Sequence, residues 1–373
     1  MRYLVFTNTP AHVHLYHNVV EKLIDEGHEV LILARDFGCT LELLEWYDLP
    51  YEVYGRCDTT PYSLFARLPA HYARILRTSR SFDPDVVFGM GGYAAPAGAV
   101  TGAQTILVLD SEPTRIDHYL SRPVANAILT PSAFRKDLGS KHYVFDGFKE
   151  IAYLHPETFS PDSSVREELG VGDDPFAIVR FNAFGSHHDV GEGGFTPDER
   201  RHLITSLSEH VDIVVSDEGD DLNVEDLPAR PFDAHPAQVH DALAEASLLV
   251  ADTQTMVTEA ALLGTPAVRS NSWVGENDMG NFLELEEHDL IFNLRDLNTV
   301  LETAEKLLTA EDTAERWQHR RQEYLEGKVN LTNLLVEVAT KPRELDSLDT
   351  LSRYDDRDVD DDARQASVAE QLP

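Results

Sequence analysis

The chain has 373 residues, with 66 acidic against 31 basic side chains and a net charge of −35. That length suits two domains of roughly 150–180 residues each, and so acidic a surface disfavours nucleic acid and anionic lipid as partners. Cys39 and Cys57 are too few for a disulfide framework, the apolar run in "MRYLVFTNTP" is too short for a signal peptide, and no run reaches the ~18 apolar residues of a membrane span. A soluble, cytoplasmic protein is expected. Acids are spread along the whole chain and lysine is scarce, as in halophile surfaces, which tolerate self-repulsion under strong salt screening.

Short apolar runs alternate with helical patterns. "YLVF" (3–6), "EVLILA" (29–34), "YEVY" (51–54), "DVVFG" (85–89), "TILVLD" (105–110) and "NAILT" (126–130) read as strands. Between them, helices are expected from Val13 to Ile24, over Leu41 to Trp46, through about 62–81, and in the Ala/Gly-rich stretch before "TILVLD". Apolar strands without alternation, separated by helices, imply a parallel sheet covered on both faces. Residues 146–175, with Pro156, Pro161 and Pro175, break the rhythm. A second series follows: "FAIVRF" (176–181), a helix near 197–210, "DIVVS" (212–216), a helix near 236–246, "LLVA" (248–251), a helix near 255–263 and "PAVR" (266–269). Helical patterns then run from about 296 to 340, and the acidic, apolar-poor 343–373 is expected to be disordered. The expected fold class is α/β: two doubly wound Rossmann-like domains facing a cleft, a GT-B-like architecture. The boundaries are 1–150 for the first domain, 151–175 for a linker and 176–340 for the second domain with its terminal helices.

In an open parallel sheet the ligand lies outside the carboxyl ends of the strands, so residues that follow strands are the candidates. "DTQT" (252–255) closes a strand and opens a helix, where free N–H groups and the helix dipole suit a phosphate. Glu259, one turn further on, suits the two hydroxyls of a ribose. The bland reading of the same residues is helix capping and a surface acid. "TNTPAHVH" places Asn8, His12 and His14 on a turn entering a helix. They serve either chemistry or capping. His12 and His14, two apart, share no helix face and make a poor metal pair. "FNAFGSHHDVGEGG" carries Ser186, His187, His188 and Asp189 before Gly191, Gly193 and Gly194. Adjacent residues cannot form a hydrolase triad, and there is no nucleophile elbow. "LDSEPTR" places Asp110, Glu112 and Arg115 after a strand, and Arg269 opens a polar loop where a guanidinium suits a diphosphate. The stretch 61–77 has Leu64, Phe65, Leu68, Tyr72, Ile75 and Leu76 near one face. It reads as a sheet-covering helix, with a peripheral membrane contact as the other reading.

"DTQTMVTEAALLGTPAVR" resembles the donor-site element of GT-B proteins, in particular the non-hydrolysing UDP-N-acetylglucosamine 2-epimerases. "TNTPAHVHLYHNVVEKLIDEGHEVLILARD", "FGSHHDVGEGG", "VSDEG" and "DTQTMVTEAALLGTPAVRSNS" together resemble a mainly archaeal domain-of-unknown-function family of that superfamily, over about residues 1–335. The resemblance implies an enzyme binding a nucleotide-diphosphate sugar, UDP-linked in first place. Thr253, Gln254, Thr255 and Arg269 would lie at the diphosphate, Glu259 at the ribose, and Ser186, His187, His188 and Asp189 on a phosphate-contacting loop. Asn8, His12 and His14 would face the acceptor, with His12 or Glu112 as catalytic acid or base. The epimerases' second acid belongs where this chain reads "GMGGYAAP", without an acid. That departure favours metal-independent glycosyl transfer, with no cofactor and no metal, over a sugar-nucleotide epimerase. A non-catalytic nucleotide-sugar-binding protein is the reading from another class. Sugar, base and acceptor stay open.

Overall fold

The computed structural model describes residues 1–56, 61–112, 119, 121–182, 193–219, 222–276 and 278–356, the side chains of 61–66 apart. Two sheets organise the chain. The first has the order β14-β7-β6-β5-β4-β1-β2-β3, with β1 Arg2–Thr7, β2 Glu29–Asp36, β3 Tyr51–Arg56, β4 Val86–Gly89, β5 Gln104–Val108, β6 Ala127–Pro131, β7 His142–Phe145 and β14 Ser352–Arg353. The second has the order β10-β9-β8-β11-β12-β13, with β8 Phe176–Phe181, β9 Asp212–Asp217, β10 Arg230–Pro231, β11 Leu248–Ala251, β12 Ala267–Arg269 and β13 Ile291–Asn293. Every pairing is parallel except β14 on β7. The apolar strands are buried, as Tyr3 to Phe6 and Leu248 to Ala251 illustrate. Parallel strands covered by helices on both faces need such continuous apolar runs.

Strand order reverses between β1 and β4 in the first sheet and between β8 and β11 in the second. These are the switch points, where successive connections leave for opposite faces and open a crevice at the carboxyl ends. The loops that matter therefore follow β1, β4, β8 and β11.

Three expectations are corrected. Residues 151–175 are more than a linker: they carry the short helices Ile151–Leu154 and Val165–Leu169, and Ile151, Ala152, Tyr153 and Leu154 are buried. The preceding "HYVF" (142–145) is a strand, unread because four residues carry too little pattern to separate strand from loop. Residues 343–356 belong to the folded body: Leu345 and Leu348 are buried and Ser352–Arg353 pairs antiparallel with β7. The acidic composition of the tail concealed these few apolar anchors. The helix Leu331–Thr340 crosses back to the first half: Thr332 Oγ1 donates to the Ala152 carbonyl (2.6 Å) and Ala339 O accepts from Tyr3 OH (3.4 Å). A single apolar cluster, with Val13 and Leu15, Ile151 and Leu154, Val257 and Ala260, and Leu331 and Leu335, unites the two halves.

Candidate functional site

A cavity of about 260 Å³ lies between the two switch points. The first half contributes His12 after β1, Met90 after β4, and Leu109, Asp110 and Ser111 after β5. Lys149 and Glu150 come from the turn that follows β7. The second half contributes Gln254, Thr255 and Thr258 from the helix Thr255–Leu263, and Met279, Asn281 and Phe282 from the helix Gly280–Glu287 and its entry.

The Thr255–Leu263 helix opens on Gln254 with no side-chain cap, so its first N–H groups and positive dipole end face the cavity. Opposite stands Lys149, buried and ion-paired with Asp110, with its ammonium 3.5 Å from Glu150 Oε1. Burial works against its charge, yet Asp110 and Glu150 outweigh it and hold the ammonium protonated well beyond neutral pH. Burial pushes the Glu150 carboxyl up to about 7, with Lys149 opposing and Asp110 and Glu259 adding to the rise. A helix N-terminus and a cation on facing walls suit an anion, and a carboxyl that titrates near neutrality suits proton transfer.

His12 is on the cavity wall, and its Nδ1 accepts from the Asn8 backbone N–H (3.1 Å). The neutral ring therefore carries its proton on Nε2. Desolvation, with Lys149 beside it, lowers the imidazole to about 3. The ring is thus a neutral hydrogen-bond donor at neutral pH, which corrects its reading as the base.

The structure draws several other candidates away from the cavity. Glu112 is buried: Oε1 accepts from Arg135 N (2.9 Å) and Oε2 from Gly280 N (3.2 Å), across the two halves. Gly280 is required there, since an added Cβ would lie 1.9 Å from the Ala133 carbonyl oxygen. Glu112 therefore clamps the Gly280–Glu287 helix, and it lines a small recess that shares Asp110, Lys149, Glu150 and Asn281 with the main cavity. Glu259 is buried behind the wall, where its Oε1 accepts from Tyr153 OH (2.8 Å) and His240 Nε2 (3.0 Å). Burial alone would raise its carboxyl; His240 and Tyr153 prevail and hold it below the usual range. Arg269 has no exposed surface. It bonds Asp278 with two nitrogens and Asn293 with one, above the Phe282 ring at 3.7 Å, so it braces the 270–280 loop instead of facing a diphosphate. Asn8 is also structural: its Oδ1 accepts from Tyr54 OH (2.8 Å). His14 packs 4.6 Å from the His240 ring, at the seam between the halves. Thr253 is buried beneath the turn. Asp252 ties the turn down, accepting from Asn182 N (2.6 Å) and Phe195 N (3.2 Å). Ser186, His187, His188, Asp189 and Arg115 lie outside the described residues.

Of the residues singled out in the sequence, the cavity thus gathers His12, Asp110, Gln254 and Thr255. Sequence reading missed Lys149 and Glu150, because the strand before them went unread and they fell in the stretch 146–175 that breaks the strand–helix rhythm, at the very end of the expected first domain. One signal was available: Lys149 is one of only seven lysines in a strongly acidic chain. Among the described residues, no group of three or more His, Cys, Asp or Glu is placed to hold a metal ion. Among them, too, no helix is long and apolar enough to cross a membrane.

Two parallel doubly wound sheets, their switch points facing across a cleft and a terminal helix crossing back, define a GT-B fold. The chain belongs to the family described as "Protein of unknown function (DUF354)", matched over residues 3–338. An uncharacterized protein of Methanocaldococcus jannaschii, MJ0665, is 24% identical over 314 residues, covering 80% of this chain and 89% of its own. Among solved structures, the UDP-GlcNAc 2-epimerase of Neisseria meningitidis bound to UDP-GlcNAc aligns with a TM-score of 0.64 at 12% identity, over 91% of this chain and 100% of that one. The glycosyltransferase VinC in complex with DTDP aligns with a TM-score of 0.60 at 14% identity, over 91% and 99% of the two chains.

Proposed function

We propose that this protein binds a nucleotide-diphosphate sugar in the cleft and transfers the sugar to an acceptor without a metal ion. The observation that carries the reading is the pairing of an uncapped helix N-terminus at Gln254–Thr255 with the buried Lys149 ammonium across one cavity. A diphosphate bridging the two meets free N–H groups on one side and a fixed cation on the other, and both act most strongly in a desolvated site. Similarly folded proteins hold UDP-GlcNAc and DTDP, which supports a nucleotide ligand of this type. Transfer is favoured over epimerisation because Glu112, the acid at the epimerase-like position, has both oxygens committed to backbone N–H groups.

The reading is tested by thermal shift with UDP and UDP-N-acetylglucosamine in high salt. Ligand at ~100 times its dissociation constant adds ~2.7 kcal/mol of stability. Thr255→Glu should abolish the shift by setting a carboxylate against the phosphate. It should leave the apo melting point intact or raised, since an acid suits a helix N-terminus. A wild-type chain that gains no stability from either compound sinks the proposal. Freed UDP then marks transfer or hydrolysis, whereas an altered sugar still joined to its nucleotide marks epimerisation.

A further inference from the structure

A sugar transfer needs a group to take the acceptor's proton, and most carboxylates around this cavity are already engaged. Asp110 is ion-paired with Lys149. Glu112 receives two backbone N–H groups, and so does Asp252. Glu259 receives Tyr153 and His240. The His12 Nδ1 is taken by Asn8 N, so its Nε2 donates. Glu150 differs. It lines the cavity, is 4% exposed, and among the described residues its carboxylate meets one side-chain donor, the Lys149 ammonium at 3.5 Å, besides its own backbone N–H. It stands at the head of the short helix Ile151–Leu154, whose buried side chains fix its backbone between the two halves.

Resting on the glycosyl-transfer reading of the cavity, we propose that Glu150 is the general base of the reaction, with His12 as a neutral hydrogen-bond donor lining the same cavity. The acceptor hydroxyl gives its proton to the Glu150 carboxylate as its oxygen bonds to the anomeric carbon. The bond from that carbon to the diphosphate oxygen breaks, and the electron pair leaves with the nucleoside diphosphate. The leaving charge then lies between Lys149 and the Thr255–Leu263 helix N-terminus. No oxidant, reductant or metal enters this balance. Burial, partly offset by Lys149, places the carboxyl at about 7, where an appreciable fraction is ionised at neutral pH and the proton is held firmly once taken.

The test measures UDP released from UDP-N-acetylglucosamine and from UDP-glucose, with water as acceptor, across pH 5 to 9, while calorimetry follows UDP binding. Wild type should lose activity as pH falls through about 7. Glu150→Gln should bind UDP as wild type does, turn over at least ~10²-fold more slowly at unchanged KM, and lose that acid limb. Glu150→Asp should recover part of the rate together with the limb, which a merely structural role would not produce. Wild-type turnover in Glu150→Gln, or an acid limb that survives in it, overturns the base assignment and leaves the nucleotide-sugar reading standing. UDP binding without release from either sugar overturns the assignment as well. A wild-type chain that does not bind UDP overturns the underlying reading and the base with it.

Discussion

Arg269 illustrates how far a residue's role depends on its surroundings. Following a strand at the edge of a polar loop, it suits an anion ligand. In the fold it has no exposed surface, and Asp278 answers its charge with two contacts, the nearer at 2.5 Å. Removing one partner of such a pair leaves the other charged and buried, at a cost of about 3–5 kcal/mol. Arg269→Met should therefore lower the denaturant midpoint by that equivalent, with UDP affinity retained by the fraction that stays folded. A stable variant that no longer binds UDP would return Arg269 to the ligand. His12 teaches a related lesson at the same scale: one backbone N–H on Nδ1 fixes the tautomer and turns an apparent base into a donor.

At the scale of elements, the closing segment is the informative one. Leu345 and Leu348 are buried, and Arg353 reaches back from β14 to Asp346 (2.7 Å) and to Tyr143 OH (2.8 Å) on β7. Each buried leucine contributes about 1.5–3 kcal/mol. A chain ending at residue 342 should thus melt several degrees below the full chain. One ending at 356 should stay close to it, because the remaining 17 residues offer few apolar side chains to a core. Equal melting of the shorter chain and the full chain would show that β14 contributes nothing. The turn Phe148–Glu150 and the helix after it also act as an element: they close the first half, brace the Thr255–Leu263 helix through Tyr153 and Glu259, and present Lys149 and Glu150 to the cavity.

For the whole molecule the decisive quantity is a net charge of −35. At ~0.1 M salt the Debye length is ~10 Å and like charges repel across the surface, whereas at 1 M it is ~3 Å. The melting temperature should rise steadily from low to molar KCl; a flat profile would discard the halophile reading. The sequence by itself determined the two parallel series, because continuous apolar strands separated by amphipathic helices admit few other packings. It also determined that the residues after β1 and β11 reach the cleft, since strand-end position follows from local pattern. It did not determine which side chains face the ligand. Asn8, His14, Glu112, Glu259 and Arg269 have the right chemistry at the right strand or helix ends, yet each is claimed by a partner elsewhere in the fold: Tyr54, His240, Gly280 and Tyr153 from distant segments, and Asp278 from the loop that Arg269 opens. Lys149 and Glu150, at the end of the expected first domain where the strand–helix rhythm breaks, are brought to the cavity because the turn that carries them packs between the halves. Secondary structure is set by local periodicity and is legible in one dimension. Which polar group is spent and which is left for chemistry is set by contacts between segments, 46, 106 and 168 residues apart for Asn8, Glu259 and Glu112, and only the tertiary structure decides that.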